Sequence, residues 1–139
     1  METEKLYGLA KTMNVRLDFG NLPENKSLSL KYNNKYFVAL DVSLQKKSSE
    51  EKVCLAHELG HCETDSFYNI YSPLDIREKH EYKADKWAAQ KLVPESEIRK
   101  AAKNGICDIP SLSEHFGVTE EFMRRALFIY TGNIAFKTA

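Results

Sequence analysis

Residues 53–62 read Val-Cys-Leu-Ala-His-Glu-Leu-Gly-His-Cys, with histidines at positions 57 and 61 and a glutamate at 58. Residues four apart lie one above the other on a helix face, so His57 and His61 would present two imidazoles to one point. Such a pair can bind Zn²⁺, with Glu58 close to a water molecule rather than to the metal, and Gly60 would leave space beside the ion. The stretch therefore predicts a metal-binding helix.

Two histidines alone make an incomplete zinc site. A catalytic zinc usually has three protein ligands and one open position, so another element must supply the third. A second strong helical pattern, over about 76–92, places Glu81 and Asp85 four apart on one face. We predict Glu81 as the third ligand of one Zn²⁺ per chain, and Asp85 as the carboxylate that orients a ligand histidine. His80 and Glu78 are the alternatives to Glu81, but neither has a carboxylate four residues later.

The pattern of apolar residues and turn formers predicts an α+β fold. A helix over 2–13 precedes a short strand over 15–19. Two further strands, over 28–32 and 36–42, are joined by Asn33-Asn34, which suits a tight hairpin turn and would pair Leu30 with Phe37. We expect strand 36–42 to be an exposed sheet edge that holds an extended peptide. Helices are predicted for the remainder over roughly 48–63, 76–92, 94–104, 111–116 and 119–130.

Composition places the chain among ordinary globular proteins. It has 139 residues, of which 42% are hydrophobic and 29% charged, so we predict one domain over 1–139 with a helical subregion over 95–139. Lys+Arg and Asp+Glu both number 20, which argues against binding nucleic acid through bulk charge. Three cysteines without a CxxC pair, no signal-like N-terminus and no long apolar run predict the cytoplasm and no membrane partner.

The segment over 112–127 has the pattern of a helix-turn-helix unit: a short helix, Gly117, and a second helix that starts after Thr119. In a DNA reader the second helix would present basic or amide side chains to the groove. Here Glu120 and Glu121 lie at its start, and residues 110–139 carry three basic and three acidic side chains. We interpret the unit as one for packing or protein recognition, and we predict no direct binding of nucleic acid.

Two stretches together resemble the ImmA/IrrE family of metallopeptidases. Residues 57–61 read His-Glu-Leu-Gly-His, and residues 81–94 read Glu-Tyr-Lys-Ala-Asp-Lys-Trp-Ala-Ala-Gln-Lys-Leu-Val-Pro. Family members typically read HELGH and then E-x-E-A-N/D-x-F-A-x-x-L-L-x-P. The chain departs from that pattern at Lys83 and Trp87, neither of which is a ligand position. The resemblance is close over about residues 50–95.

The resemblance implies a zincin-like peptidase core, built from the N-terminal helix, the small sheet, the HExxH helix and the third-ligand helix. It implies a zinc-dependent endopeptidase of gluzincin type. Several family members cut helix-turn-helix repressors of phages or mobile elements and so relieve repression, and we predict such a repressor as the partner. The alternative is a non-catalytic protein-binding or DNA-binding regulator that retains the zincin fold.

In a peptidase of this kind, Glu58 would take a proton from the attacking water and pass it to the leaving amine. A second hydrogen-bond donor to the tetrahedral oxyanion is expected near the metal. Four residues are candidates by type and position, and the sequence leaves the choice open: Tyr68, Tyr71, His80 and Tyr82.

Overall fold

The computed structural model describes residues 1–22, 24–46 and 48–132, with the Ser48 side chain left aside. The fold is the predicted α+β arrangement, and each predicted element forms with bounds that differ by at most two residues. The elements are α1 (Thr3–Thr12), β1 (Val15–Gly20), β2 (Ser27–Tyr32), β3 (Lys35–Asp41), a 3₁₀ turn (Val42–Leu44), α2 (Ser48–Thr64), α3 (Leu74–Leu92), α4 (Glu95–Lys103), α5 (Ile109–Phe116) and α6 (Glu120–Thr131). None of the helices in these ranges has both the length and the apolar character needed to cross a bilayer.

The strands form one sheet in the order β1-β3-β2, with β1 parallel and β2 antiparallel to β3. Asn33 and Asn34 have φ values of 51° and 60°, as a type I′ hairpin turn requires, and Leu30 pairs with Phe37 as predicted. Because β3 lies in the middle of the sheet, the prediction that strand 36–42 is an exposed edge is wrong. The physical reason is that β3 pairs with its hairpin partner β2 on one side and with β1 on the other, so its main-chain groups are bonded on both sides.

The core forms around α2, whose apolar positions are buried while its histidines face away. Leu55, Ala56 and Leu59 are fully buried, and Cys62 is nearly so. They pack in one cluster with apolar side chains from α1, the sheet and the later helices. Burial of this stripe holds α2 in place, and so it determines where the opposite, polar face of the helix points.

Gly60 allows α2 and α3 to approach each other closely. A Cβ added at Gly60 would lie 2.6 Å from the carbonyl oxygen of Ala84 and 3.0 Å from its Cα. The glycine therefore makes room for the backbone of α3. The sequence had suggested a different role, in which Gly60 leaves space beside the metal. This close contact brings the third-ligand helix up to the histidine helix.

The C-terminal helices form the predicted helix-turn-helix pattern. Gly117 ends α5 in the left-handed conformation at φ 67°, and the Thr119 hydroxyl accepts a hydrogen bond from the Phe122 amide at the start of α6. The buried Lys52 side chain donates to the Phe116 carbonyl at 2.8 Å, so the end of α5 is tied to α2. Residues 133–139 of the predicted subregion lie outside the described residues.

Candidate metal centre

The side chains of His57, His61 and Glu81 converge on one point between α2 and α3. The two Nε2 atoms are 3.2 Å apart. His57 Nε2 lies 2.9 Å from Glu81 Oε2, and His61 Nε2 lies 3.0 Å from Glu81 Oε1. The structure thus places the three predicted ligands as one donor set, to which the alternatives His80 and Glu78 do not belong.

The outer nitrogen of each histidine is held by an acceptor. His57 Nδ1 is 2.8 Å from Asp85 Oδ1, and His61 Nδ1 is 2.6 Å from the carbonyl oxygen of Ser66. A carboxylate and a carbonyl can only accept, so in each ring Nδ1 carries a hydrogen, and Nε2 is the nitrogen that faces Glu81. If a cation replaced the hydrogens on Nε2, two imidazole lone pairs and the Glu81 carboxylate would bind it together.

The pKa values of His57 and Glu81 in the metal-free protein also indicate a site that stabilises positive charge. Burial opposes the charged form, but the hydrogen bonds with Asp85 and Glu81 raise the pKa of His57 to about 10. Burial likewise opposes ionisation of Glu81, yet the hydrogen bonds from His57, His61 and Tyr68 hold its pKa well below the usual range. A proton on His57 therefore supplies charge that a bound divalent cation would replace.

The donor set lies on a cleft of about 790 Å³. Its histidine side is formed by α2, and the facing wall is formed by β2 and the segment before it, over residues 25–29. Tyr68, Glu121 and Arg125 complete the lining from the loop after α2 and from α6. Two imidazoles and one carboxylate, open to a cleft on one side, fit a catalytic zinc with a free coordination position.

Glu58 lies in the same cleft and is oriented by the sheet. Its side chain is buried, and the Ser27 hydroxyl donates a hydrogen bond to its Oε2 at 2.7 Å. Since Ser27 begins β2, the edge strand fixes the carboxylate next to the histidine pair. The carboxylate is thus placed beside the metal position without being part of the donor set.

The four candidate oxyanion donors occupy different places. Tyr68 lines the cleft and donates to Glu81 Oε1 at 2.6 Å; burial and this bond raise its pKa to about 12, so it stays protonated. His80 stacks parallel to the Tyr68 ring at 6.5 Å between centroids. Tyr71 is 87% exposed on the loop, and Tyr82 faces a neighbouring groove.

Three residues that support the site were not identified from the sequence: Ser27, Ser66 and Arg125. Ser66 acts through its main-chain carbonyl, which leaves no signature in the residue type. Arg125 donates from Nη1 to Asp85 Oδ2 at 3.3 Å and from Nη2 to Glu121 at 3.4 Å. In the sequence this arginine resembles an ordinary i, i+4 partner of Glu121, and nothing there indicates its contact with α3.

A histidine pair one helical turn apart, a glutamate from the next helix and a second glutamate in the same cleft define a metallopeptidase centre. The family model of the IrrE N-terminal-like domain matches residues 10–128, and the chain belongs to this ImmA/IrrE family of metallopeptidases. The match extends from α1 into α6 and confirms the resemblance inferred from the two motifs. Comparison with curated proteins gives no match.

Proposed function

We propose that the protein is a zinc-dependent endopeptidase that acts in the cytoplasm. The observation that carries the proposal is the convergence of two imidazole Nε2 atoms and the Glu81 carboxylate beside Glu58 in one cleft. Imidazole and carboxylate donors favour zinc over the harder calcium and magnesium ions. Family membership supports the metallopeptidase class. Free thiols at Cys54, Cys62 and Cys107 favour a reducing compartment.

Different side chains in the cleft would serve different steps of peptide hydrolysis. A bound zinc ion would polarise the scissile carbonyl and make a water molecule in the cleft more acidic. Glu58, held by Ser27, takes the proton of that water and transfers it to the leaving amine. Tyr68 is our candidate for the oxyanion donor, because its protonated hydroxyl lies against Glu81 on the cleft wall.

The edge strand β2 offers a place for an extended substrate. In the order β1-β3-β2, this strand has a sheet neighbour on one side only among the residues that the structure describes, and residues 27–29 line the metal cleft. A peptide that adds to this edge gains main-chain hydrogen bonds. The same addition would bring its backbone past His57 and Glu58.

As the substrate we propose a helix-turn-helix repressor of a phage or mobile element, on the strength of family membership. The chain's own helix-turn-helix pattern does not favour direct DNA binding. Arg124 lies 3.5 Å from Glu120, and Arg125 lies 3.4 Å from Glu121. Since both arginines on α6 have acidic partners, little positive charge is left for phosphates.

The test is cleavage of candidate repressors encoded in the neighbouring genes. The zinc-loaded protein is mixed with each repressor, with and without a chelator, and fragments are identified by mass spectrometry. We expect Glu58→Gln to reduce cleavage by at least about 10²-fold while zinc content stays unchanged. Glu63→Gln, which alters an exposed glutamate on the same helix, should cleave normally.

The alternative is a regulator that binds the repressor without cutting it. It would predict that repressor inactivation survives Glu58→Gln and that no fragment appears. A fragment that forms equally with Glu58→Gln would also contradict the proposed role of this carboxylate.

A further inference from the structure

An apolar groove lies between α3 and α6. Leu74 and Tyr82 line it from α3, Phe128 and Ile129 line it from α6, and its volume is about 430 Å³. Leu74 is 63% exposed, Tyr82 48% and Phe128 44%. Single exposed apolar residues are common on protein surfaces, but several that converge on one concavity are typical of a binding site.

The groove is continuous with the metal cleft. Tyr68, Glu81 and Arg125 line both cavities, so the third-ligand side chain forms part of the boundary between them. An extended peptide advances about 3.3 Å per residue. A peptide whose scissile carbonyl reaches the donor set can therefore place a neighbouring side chain in the groove.

We propose that the groove is a specificity subsite that holds a large apolar side chain of the substrate, such as Phe, Leu, Met or Tyr, next to the cleaved bond. This proposal rests on the proposed function and adds the substrate preference. Leu74, Tyr82, Phe128 and Ile129 remove the side chain from water.

A second copy of the chain is the rival occupant. A stable protein interface buries about 800 Å² on each partner, far more than three partly exposed side chains provide. The groove is also concave and shares its wall with the catalytic cleft. Both features favour a peptide side chain over a flat dimer contact.

The first test measures which peptides are cut. The zinc-loaded protein is incubated with a library of short random peptides, and the products are sequenced by mass spectrometry. We expect Phe, Leu, Met and Tyr to be enriched about tenfold over Ala at one position beside the cleaved bond. Phe128→Asp should remove this enrichment. Val42→Asp, which alters an equally exposed (44%) apolar residue outside the groove, should retain it.

The second test needs no catalysis. N-acetyl-phenylalanine amide and N-acetyl-alanine amide are titrated into the zinc-loaded Glu58→Gln protein and followed by amide NMR. We expect shifts at Leu74, Tyr82 and Ile129 with the first compound only, and their loss when Phe128→Asp is added. The milder Phe128→Ala should weaken the same shifts, and both variants are checked for folding by circular dichroism.

The outcomes separate the two proposals. Binding of the phenylalanine amide in the groove without cleavage of any peptide would refute the peptidase and leave the groove as a binding site for apolar side chains. Cleavage without an apolar preference, with no shifts in the groove, would refute the subsite and keep the peptidase. A concentration-dependent dimer that Phe128→Asp dissociates would assign the groove to a second copy and overturn the proposal.

Discussion

Replacing Gly60 with alanine should drive α2 and α3 apart at the metal centre. The added Cβ would lie 2.6 Å from the Ala84 carbonyl oxygen and 3.0 Å from the Ala84 Cα. Both are backbone atoms of α3, so no side-chain rotation relieves the clash. To reach an ordinary contact of about 3.5 Å, the two helices must separate by roughly 0.9 Å.

Two opposing effects set the size of the change in stability. Alanine is better than glycine within a helix by about 1 kcal/mol, whereas overpacking in a core costs about 1–3 kcal/mol. Because the clash here is with backbone, we expect Gly60→Ala to lower the free energy of unfolding by about 1–2 kcal/mol. Gly8 in α1 is the matched control, since a Cβ there meets nothing within 4 Å. Gly8→Ala should raise the free energy of unfolding by roughly 0.5–1 kcal/mol.

The same separation would move Glu81 away from His57 and His61. Metal–ligand distances tolerate changes of only about 0.2 Å, so the zinc affinity of Gly60→Ala should fall by about 10–100-fold, a loss comparable to that from disturbing an outer-shell partner. Urea unfolding is measured on zinc-free protein, so that metal binding does not add to stability. Zinc affinity is measured by competition with a chelator. If Gly60→Ala were as stable as Gly8→Ala and bound zinc like the wild type, the close helix contact would be refuted.

Asp85→Asn should weaken zinc binding by about 10–100-fold, because the carboxylate that orients His57 is lost; Asp75→Asn, on an exposed residue of the same helix, should leave chelator competition unchanged. In the zinc-free protein the pKa of His57 is raised to about 10, so zinc must displace a proton, and its affinity should increase about tenfold per pH unit between about pH 6 and pH 8. The raised pKa of His57 also stabilises the zinc-free fold. This contribution is fully present below about pH 6.5, the pKa of the residue in the unfolded chain, and it is lost as the pH rises towards 10. A urea midpoint that is equal at about pH 6 and pH 9 would contradict this.

The elements of the fold could be predicted because their signals are local. Helical spacing placed His57 over His61 and Glu81 over Asp85, and Asn33-Asn34 specified the turn and the register of the hairpin. Strand order is not local, since β1 pairs with β3 and not with β2, the next strand in the sequence. The apolar run in β3 does not specify which strands lie beside it.

The partners that orient the site could be predicted only in part. Asp85 was found because a carboxylate at i+4 from a ligand is a recognisable pattern. Ser27 and Glu58 are 31 residues apart, and Arg125 and Asp85 are 40 apart, so no helical spacing links them. The loop after α2 has no periodicity, which is why the sequence could not distinguish Tyr68, which lines the cleft, from the more exposed Tyr71.

Helix α6 shows why a helix-turn-helix pattern need not indicate DNA binding. Arg125 donates to Asp85, and Asp85 in turn accepts from His57, so one chain of hydrogen bonds runs from α6 to a predicted metal ligand. The same helix contributes Arg125 to the metal cleft and Phe128 to the apolar groove. Arg125 therefore has contacts at the metal centre that give it a structural role independent of DNA. The contacts of α6 make it one wall of the metal cleft, and the acidic Glu121 at its start is there the partner of Arg125.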